Sequence, residues 1–332
     1  MKTAATVLAA CTALFLSACG QGDGSEAGAT DDAIDGSNAA LTSSAIQHVF
    51  VIVMENHDST QIYGNSSSAP YINNTLIPAY ARSTNFNDEL SLSIPSEPHY
   101  VWMEAGTNAF SDHTFSGDSD PSSTNSTSST AHVVTQIKNA TNGVTWRSYQ
   151  EGLNGSTGSC PIHSSGFYAA KHDPFVFFKD VAGNPPSASN AYCAAHHRAY
   201  SSLATDLAAG DVASYTFITP NLCNDMHGAS GCPDSNTIRS GDTWLKNELP
   251  RLISYVNANA GVIFITWDEG SSTLKMPFLA IGPGVKAGYT GTVSYTHSSL
   301  VKSIEAILAL PTLSTVSSAN TLSDLFTAGS YP

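Results

Sequence analysis

The feature that most constrains the fold is a short apolar run at residues 49–54 that ends abruptly in Glu55, Asn56 and His57. The run is rich in β-branched residues and is flanked by polar segments. Such a run is typical of a strand buried on both faces of a parallel sheet. Because ligands of open α/β sheets bind beyond the carboxyl ends of the strands, Glu55 and Asn56 are expected to lie in a functional site.

A second buried strand of the same kind is predicted at residues 262–267, and it ends in Asp268 and Glu269. The carboxyl ends of parallel strands meet at one edge of a sheet. We therefore expect the two strand ends to bind one cation through Glu55, Asn56, Asp268 and Glu269. The alternative for Glu55 and Asn56 is a capping pair at a strand-to-loop turn.

Strand-like and helix-like segments alternate along the rest of the chain. Helices are expected near residues 72–81, 199–209, 243–257 and 297–310, and further strands at residues 214–220 and 276–281. This alternation predicts an α/β fold with a mainly parallel sheet covered by helices on both faces. No second linker interrupts residues 42–332, so we predict a single domain there.

The first 18 residues predict an export signal, because a basic start is followed by an apolar stretch shorter than the roughly 20 residues that span a bilayer. The segment ends in Leu16-Ser17-Ala18-Cys19, which resembles the bacterial lipobox. Cys19 would then carry a lipid anchor and become the new N-terminus, which predicts a cell-envelope lipoprotein at the outer membrane or cell surface. The alternative is an ordinary signal with a chance cysteine.

Residues 19–41 are mostly small and acidic, and they predict a flexible tether that cannot bury enough apolar surface to fold. The formal net charge of the whole chain is −14, and most of the acidic residues lie beyond this tether. The folded body is therefore itself acidic. This charge argues against nucleic acid as a partner and against a polybasic membrane patch.

Four cysteines remain once Cys11 of the signal segment and Cys19 are set aside, at positions 160, 193, 223 and 232. An even number in an exported protein predicts two disulfides, for which three pairings are possible. We favour Cys160 with Cys193 and Cys223 with Cys232. A zinc site is the weaker alternative, because no two of these cysteines have the close spacing of a zinc knuckle.

Ser96 is a candidate for anion chemistry. Pro98 suits the first turn of a helix and Gly106 suits its end, which places Ser96 at a helix N-terminus. Free backbone N–H groups at such a position favour phosphate. The alternative role for Ser96 is a helix N-cap. The Ser-, Thr- and Asp-rich segment 111–131 that follows is either a lid or a surface excursion.

Seven short motifs follow one another between residues 48 and 310, namely Met54-Glu55-Asn56, Pro95-Ser96-Glu97-Pro98, Trp146-Arg147-Ser148-Tyr149-Gln150-Glu151, Lys171-His172-Asp173-Pro174-Phe175, Thr219-Pro220-Asn221-Leu222-Cys223-Asn224-Asp225-Met226-His227, Trp267-Asp268-Glu269-Gly270 and Thr296-His297-Ser298-Ser299-Leu300. In this order they resemble the phosphoesterase family, which contains bacterial and fungal acid phosphatases and bacterial phospholipases C. The resemblance implies the three-layer αβα sandwich of the alkaline phosphatase-like superfamily.

The same resemblance implies roles for individual residues. It implies metal ligands at Glu55, Asn56, Asp268 and Glu269. Ser96 would be the nucleophile, also touching the metal, and His172 and His227 would face the phosphate. Asp225 would orient His227 or bind a second metal, and His297 would do likewise. Many relatives have Pro-Asn-Tyr where this chain has Pro98-His99-Tyr100, which leaves the substrate preference open.

An all-oxygen ligand set suits Ca²⁺, Mg²⁺ or Mn²⁺ better than zinc, although zinc becomes possible if Asp225, His227 and His297 join the site. The predicted function is metal-dependent hydrolysis of phosphoric esters, as an acid phosphatase that acts on phosphomonoesters through a phosphoserine. One alternative is a phospholipase C or phosphoinositide phosphatase with the same site. Another is a catalytically silent surface binding module, which has no need of the complete residue set. The physiological substrate and the oligomeric state stay open.

The lipobox hypothesis predicts the fate of Cys19. The mature protein should begin at Cys19 and partition with membranes, because the acyl chains supply the apolar surface for anchoring. Replacing Cys19 by Ser should release or mislocalise the protein. Mass spectrometry of the N-terminus and membrane fractionation measure both effects, and unlipidated wild-type protein that begins elsewhere contradicts the hypothesis.

Overall fold

In the computed structural model, residues 46–153 and 158–332 are described. The predicted signal peptide at residues 1–18, the tether at residues 19–41 and the lipidation site Cys19 lie outside the described residues. Within the described part of the chain, the helices are all too short or too polar to cross a bilayer.

The centre of the described structure is an eight-stranded sheet with the strand order β4-β3-β5-β1-β6-β7-β2-β8. The strands are β1 (His48–Met54), β2 (Ala81–Asn87), β3 (Trp146–Gln150), β4 (His197–Ala199), β5 (Tyr215–Thr219), β6 (Gly261–Trp267), β7 (Lys275–Ile281) and β8 (Thr290–Gly291). Only β7 runs antiparallel to its neighbours in this sheet. Residues 268–274, which connect β6 to β7, are too few for the crossover of a dozen or more residues that a parallel neighbour requires.

Helices cover both faces of the sheet. The α-helices are α1 (Ser59–Ile62), α2 (Ile77–Ala79), α3 (Ser96–Ala105), α4 (Val133–Asn139), α5 (Lys179–Ala182), α6 (Ala191–His196), α7 (Leu203–Ala209), α8 (Thr237–Ala258) and α9 (His297–Ile307). All residues of β5 and β6, and all of β1 after His48, are buried. This burial confirms the predicted α/β fold, a three-layer sandwich with a mainly parallel sheet.

Several elements differ from the sequence prediction. The helix expected near residues 72–81 is a short π-helix, Ile72–Leu76, followed by α2, and the chain then enters β2. The sequence of β2 is largely polar and has no apolar run, so only its pairing with β7 and β8 defines it as a strand. Helix α8 begins six residues earlier than expected, where the Asn236 side chain caps it by accepting from the backbone N–H of Arg239.

Two disulfides are present among the described residues, Cys160–Cys193 and Cys223–Cys232, which is the pairing that the sequence favoured. The second bridge closes the loop that follows β5. That loop carries Asp225 and His227, so the bridge restrains a segment that reaches the edge of the sheet where β1 and β6 end.

Candidate active site

The two strand ends predicted to share a site are adjacent. Strands β1 and β6 pair in parallel, and Met54 lies opposite Trp267 at their carboxyl ends. The chain turns at Asn56, whose φ of 45° lies in the left-handed region that asparagine adopts more readily than most residues. This turn directs the backbone N–H of Asn56 to the Oδ1 atom of Asp268, at 2.9 Å.

Ser96 lies between these strand ends. It is the first residue of α3, and the residue before it, Pro95, is extended and occupies the N-cap position. Its Oγ atom lies 3.1 Å from Oε2 of Glu55 and 3.3 Å from Oε1 of Glu269, so the hydroxyl donates into a pair of carboxylates. Ser96 therefore joins the two strand ends.

Four carboxylates are buried at this edge of the sheet, those of Glu55, Asp225, Asp268 and Glu269. Burial raises the pKa of each of them. The negative charge of Asp268 raises the pKa of the other three further. Carboxylates crowded in this way stay ionised only if positive charge compensates them, so the donor set fits a divalent cation.

The side-chain amide of Asn56 faces the same cluster. Its oxygen faces only acceptors, and in the reversed orientation its nitrogen would donate to Asp268 and Glu269 at 3.2 to 3.3 Å. When the amide oxygen of Asn56 faces the carboxylates, oxygen atoms meet with no proton between them, and a bound cation would stabilise this orientation. In the reversed orientation the amide nitrogen donates to the carboxylates, which suits a site without metal.

A second group that suits a metal consists of Glu55, His172 and Asp225, whose ligand atoms lie within 4.8 Å of one another. The Nε2 atom of His172 lies 3.4 Å from Glu55, and its Nδ1 atom lies 3.7 Å from Asp225. Burial, together with the positive charges of Lys171 and His227, lowers the pKa of His172 well below its usual range. A neutral imidazole between two carboxylates can bind a metal ion. The family resemblance implied that His172 faces the phosphate and did not include it among the metal ligands.

Tyr100 belongs to the site, although sequence reasoning did not assign it a role. Its hydroxyl donates to Oε1 of Glu55 at 2.5 Å, and its ring stacks on His172 with the ring centroids 4.9 Å apart. The spacing of Tyr100 from Ser96 could have predicted this position. Residues four apart lie on one face of a helix, and Tyr100 is four residues after Ser96.

His99 introduces a buried positive charge. Its Nδ1 atom lies 3.1 Å from Asp88, and its Nε2 atom lies 3.2 Å from the carbonyl oxygen of Ile94 and 3.8 Å from Glu269. Because both ring nitrogens face acceptors, both must carry protons. Burial lowers the pKa of His99, but the hydrogen bond and charge of Asp88 outweigh it and raise the pKa to about 9.

The remaining predicted residues lie at the periphery. His227 is exposed, and Asp225 accepts its backbone N–H at 2.8 Å, so the carboxylate holds the backbone of His227 and not its ring. His297 donates from Nε2 to the backbone carbonyl of Asp268 at 2.6 Å, and burial lowers its pKa to about 4. His297 is therefore a neutral ring whose Nε2 atom supports the strand end, and its Nδ1 atom is buried without a hydrogen-bond partner.

The strand ends of this αβα sheet therefore hold a serine hydroxyl among buried carboxylates. The sequence profile of the phosphoesterase family matches residues 73–311, which is more than half of the chain. The chain therefore belongs to the phosphoesterase family.

Individual proteins agree with this membership. A phosphatidylinositol-3-phosphatase of Mycobacterium tuberculosis is 29% identical over 294 residues, covering 87% of this chain and 85% of the relative. An acid phosphatase of Aspergillus fumigatus is 28% identical over 245 residues, covering 69% of this chain and 48% of the relative. A crystal structure of an alkaline phosphatase superfamily protein from Vibrio parahaemolyticus superposes with a TM-score of 0.53 at 9% identity, covering 82% of this chain and 68% of that one, and shows the shared fold.

The charge of the carboxylate cluster predicts stabilisation by cations. Titrating the protein with Mn²⁺, Mg²⁺, Ca²⁺ or Zn²⁺ should raise its melting temperature with at least one of them, because a ligand at 100 times its Kd stabilises the folded state by about 2.7 kcal/mol. Asp268→Asn should lose most of this shift. Glu104→Gln is the matched control, because Glu104 is a buried carboxylate that contacts His132 and no residue of this cluster. An equal shift in Asp268→Asn and wild type contradicts the cation site.

Proposed function

We propose that this protein is a metal-dependent phosphatase that hydrolyses phosphomonoesters through a covalent phosphoserine on Ser96. The observation that carries the proposal is the position of the Ser96 hydroxyl, at the N-terminus of α3 and within hydrogen-bond distance of Glu55 and Glu269. A serine so placed has proton acceptors beside it and lies at the positive end of the helix dipole, which favours an anion.

In the proposed reaction, the Oγ atom of Ser96 attacks phosphorus in line with the ester oxygen, and its proton passes to Glu55 or Glu269. The bond from Oγ to phosphorus forms while the bond from phosphorus to the ester oxygen breaks. The imidazole of His227, whose ring centroid lies 6.1 Å from that of His172, would protonate the leaving alcohol. Water then hydrolyses the phosphoserine and regenerates the serine hydroxyl.

A divalent cation bound by Glu55, Asn56, Asp268 and Glu269 would lower the pKa of the serine hydroxyl and neutralise charge on the phosphoryl oxygens. Ca²⁺, Mg²⁺ and Mn²⁺ fit the oxygen donors, and participation of His172 would extend the fit to zinc. Tyr100 and His99 complete the environment, since the first donates to Glu55 and the second carries positive charge beside Glu269.

Ser96→Ala tests the nucleophile. The variant should lose activity by at least about a thousandfold, because the attacking atom is gone, yet it should fold and bind phosphate or vanadate. Ser93→Ala, an exposed serine of the preceding loop, is the matched control and should keep wild-type turnover. Rapid quench of the wild type with a labelled substrate should trap phosphate on Ser96. Label on another residue or near-normal turnover of Ser96→Ala contradicts the assignment, and a wild type without any turnover favours the silent binding module.

A phosphoinositide phosphatase is the second candidate, because one relative, which aligns with 87% of this chain, is a phosphatidylinositol-3-phosphatase. Removal of a phosphate from an inositol ring is also phosphomonoester hydrolysis, so the site chemistry is the same. A lipid substrate calls for apolar side chains near the site. Phe167 is exposed, and it lies shortly before the 3₁₀-helix Ala170–His172, which carries His172.

A substrate panel separates these candidates. An aryl phosphate monoester and phosphatidylinositol 3-phosphate should both be hydrolysed, and a bis-aryl phosphodiester and phosphatidylcholine should be hydrolysed far more slowly. Released phosphate and released phosphocholine are measured. The phosphoinositide is the favoured substrate if its kcat/KM exceeds that of the aryl phosphate in the wild type. In that case Phe167→Ser should lower kcat/KM for the phosphoinositide and leave kcat/KM for the aryl phosphate unchanged. Faster release of phosphocholine than of phosphate would favour a phospholipase C.

We further propose that the enzyme is exported and held in the bacterial cell envelope by a lipid on Cys19. The support is the motif Leu16-Ser17-Ala18-Cys19 and the acidic tether after it. This arrangement would place a phosphatase outside the cytoplasm, joined to a membrane through residues 19–41.

A further inference from the structure

The segment 111–131 brings a carboxylate to the N-terminus of the helix that carries Ser96. The backbone N–H of Glu97 donates to Oδ1 of Asp118 at 3.0 Å. The other oxygen of Asp118 accepts from Nζ of Lys171. Lys171 directly precedes His172, which contacts Glu55, so the carboxylate and its ammonium partner lie beside the nucleophile.

Asp118 is held in this position by further contacts. Glu97 accepts the backbone N–H of Ser119 at 2.7 Å and the side-chain amide of Asn125 at 3.1 Å. Asp120 accepts the backbone N–H of Ser164 at 2.9 Å, which ties the segment to the loop that leads to Lys171. The segment 111–131, most of whose residues are exposed, is therefore bonded to both sides of the site.

The N–H of Glu97 and the ammonium of Lys171 are the two donors that a phosphoryl oxygen at this position would use. In the free protein a carboxylate binds both of them. Lys171 is largely buried, and the negative charges of Glu55 and Asp268 act on it in addition to Asp118. Lys171 can therefore interact with the carboxylate of Asp118 on one side and with the carboxylates of Glu55 and Asp268 on the other.

We propose that Lys171 binds the phosphoryl oxygens of the substrate, and that Asp118 is an internal anion which occupies the Glu97 N–H and Lys171 until the substrate displaces it. The inference rests on the proposed phosphatase function and adds a specificity to it. A monoester dianion competes with a carboxylate for Lys171 better than a diester monoanion does, because its charge is greater. The contact therefore favours phosphomonoesters over phosphodiesters.

Calorimetric titration with inorganic phosphate, in the presence of the activating cation, tests the proposal independently of turnover. Lys171→Met should weaken phosphate binding by about tenfold or more, and Lys171→Arg should restore part of it, because a charge-assisted hydrogen bond is lost and then replaced. Asp118→Asn and Asp118→Ala should instead tighten phosphate binding by about threefold to tenfold, since the competing charge is removed. Both should also reduce the preference for an aryl monoester over a bis-aryl diester.

Lys179→Met is the matched control, because Lys179 pairs with Asp112 of the same segment at 3.5 Å and has no contact with α3. It should bind phosphate like wild type. Wild-type affinity in Lys171→Met overturns the role of Lys171. If both Asp118 variants fold with wild-type melting behaviour and bind phosphate more weakly, Asp118 only positions Lys171 and the internal-anion proposal is wrong. A wild-type protein that neither hydrolyses monoesters nor binds phosphate overturns the proposed function, and the inference with it.

Discussion

The mutual repulsion of the carboxylates of Glu55, Asp225, Asp268 and Glu269 is the constraint on which the rest of the site depends. Buried carboxylates raise one another's pKa, and the sheet brings these together because β1 and β6 are paired in register and the loop after β5 ends nearby. Burying four carboxylates lowers the stability of a fold that is held by apolar packing. Binding of positive charge explains the cluster, and the packed sheet keeps the carboxylates in place.

The surrounding groups each reduce this repulsion in a different way. Tyr100 donates a short hydrogen bond to Glu55, and Ser96 donates to Glu55 and Glu269. His99 adds a buried positive charge beside Glu269. Hydrogen bonds and fixed charges are therefore already directed at the strand ends before any ligand binds.

The sequence predicted those features whose signal is local. The apolar runs of β1 and β6 show in the sequence because both faces of these strands are buried. The end of α3 at Gly106 was also predicted, since its φ of 64° is a conformation that glycine adopts at little cost. The largely polar strand β2 was not predicted, because strands at the periphery of a sheet are specified by their pairing more than by an apolar run of their own.

The sequence by itself therefore determined the fold class, the two strand ends and the serine at a helix N-terminus, because periodicity and terminal residues encode them over short distances. Only the tertiary structure decided that His172 lies between Glu55 and Asp225 and that Asp118 binds the helix of Ser96 together with Lys171. These contacts join residues far apart in the chain. Their geometry follows from how the loops pack over the strand ends, which no local pattern of residues records.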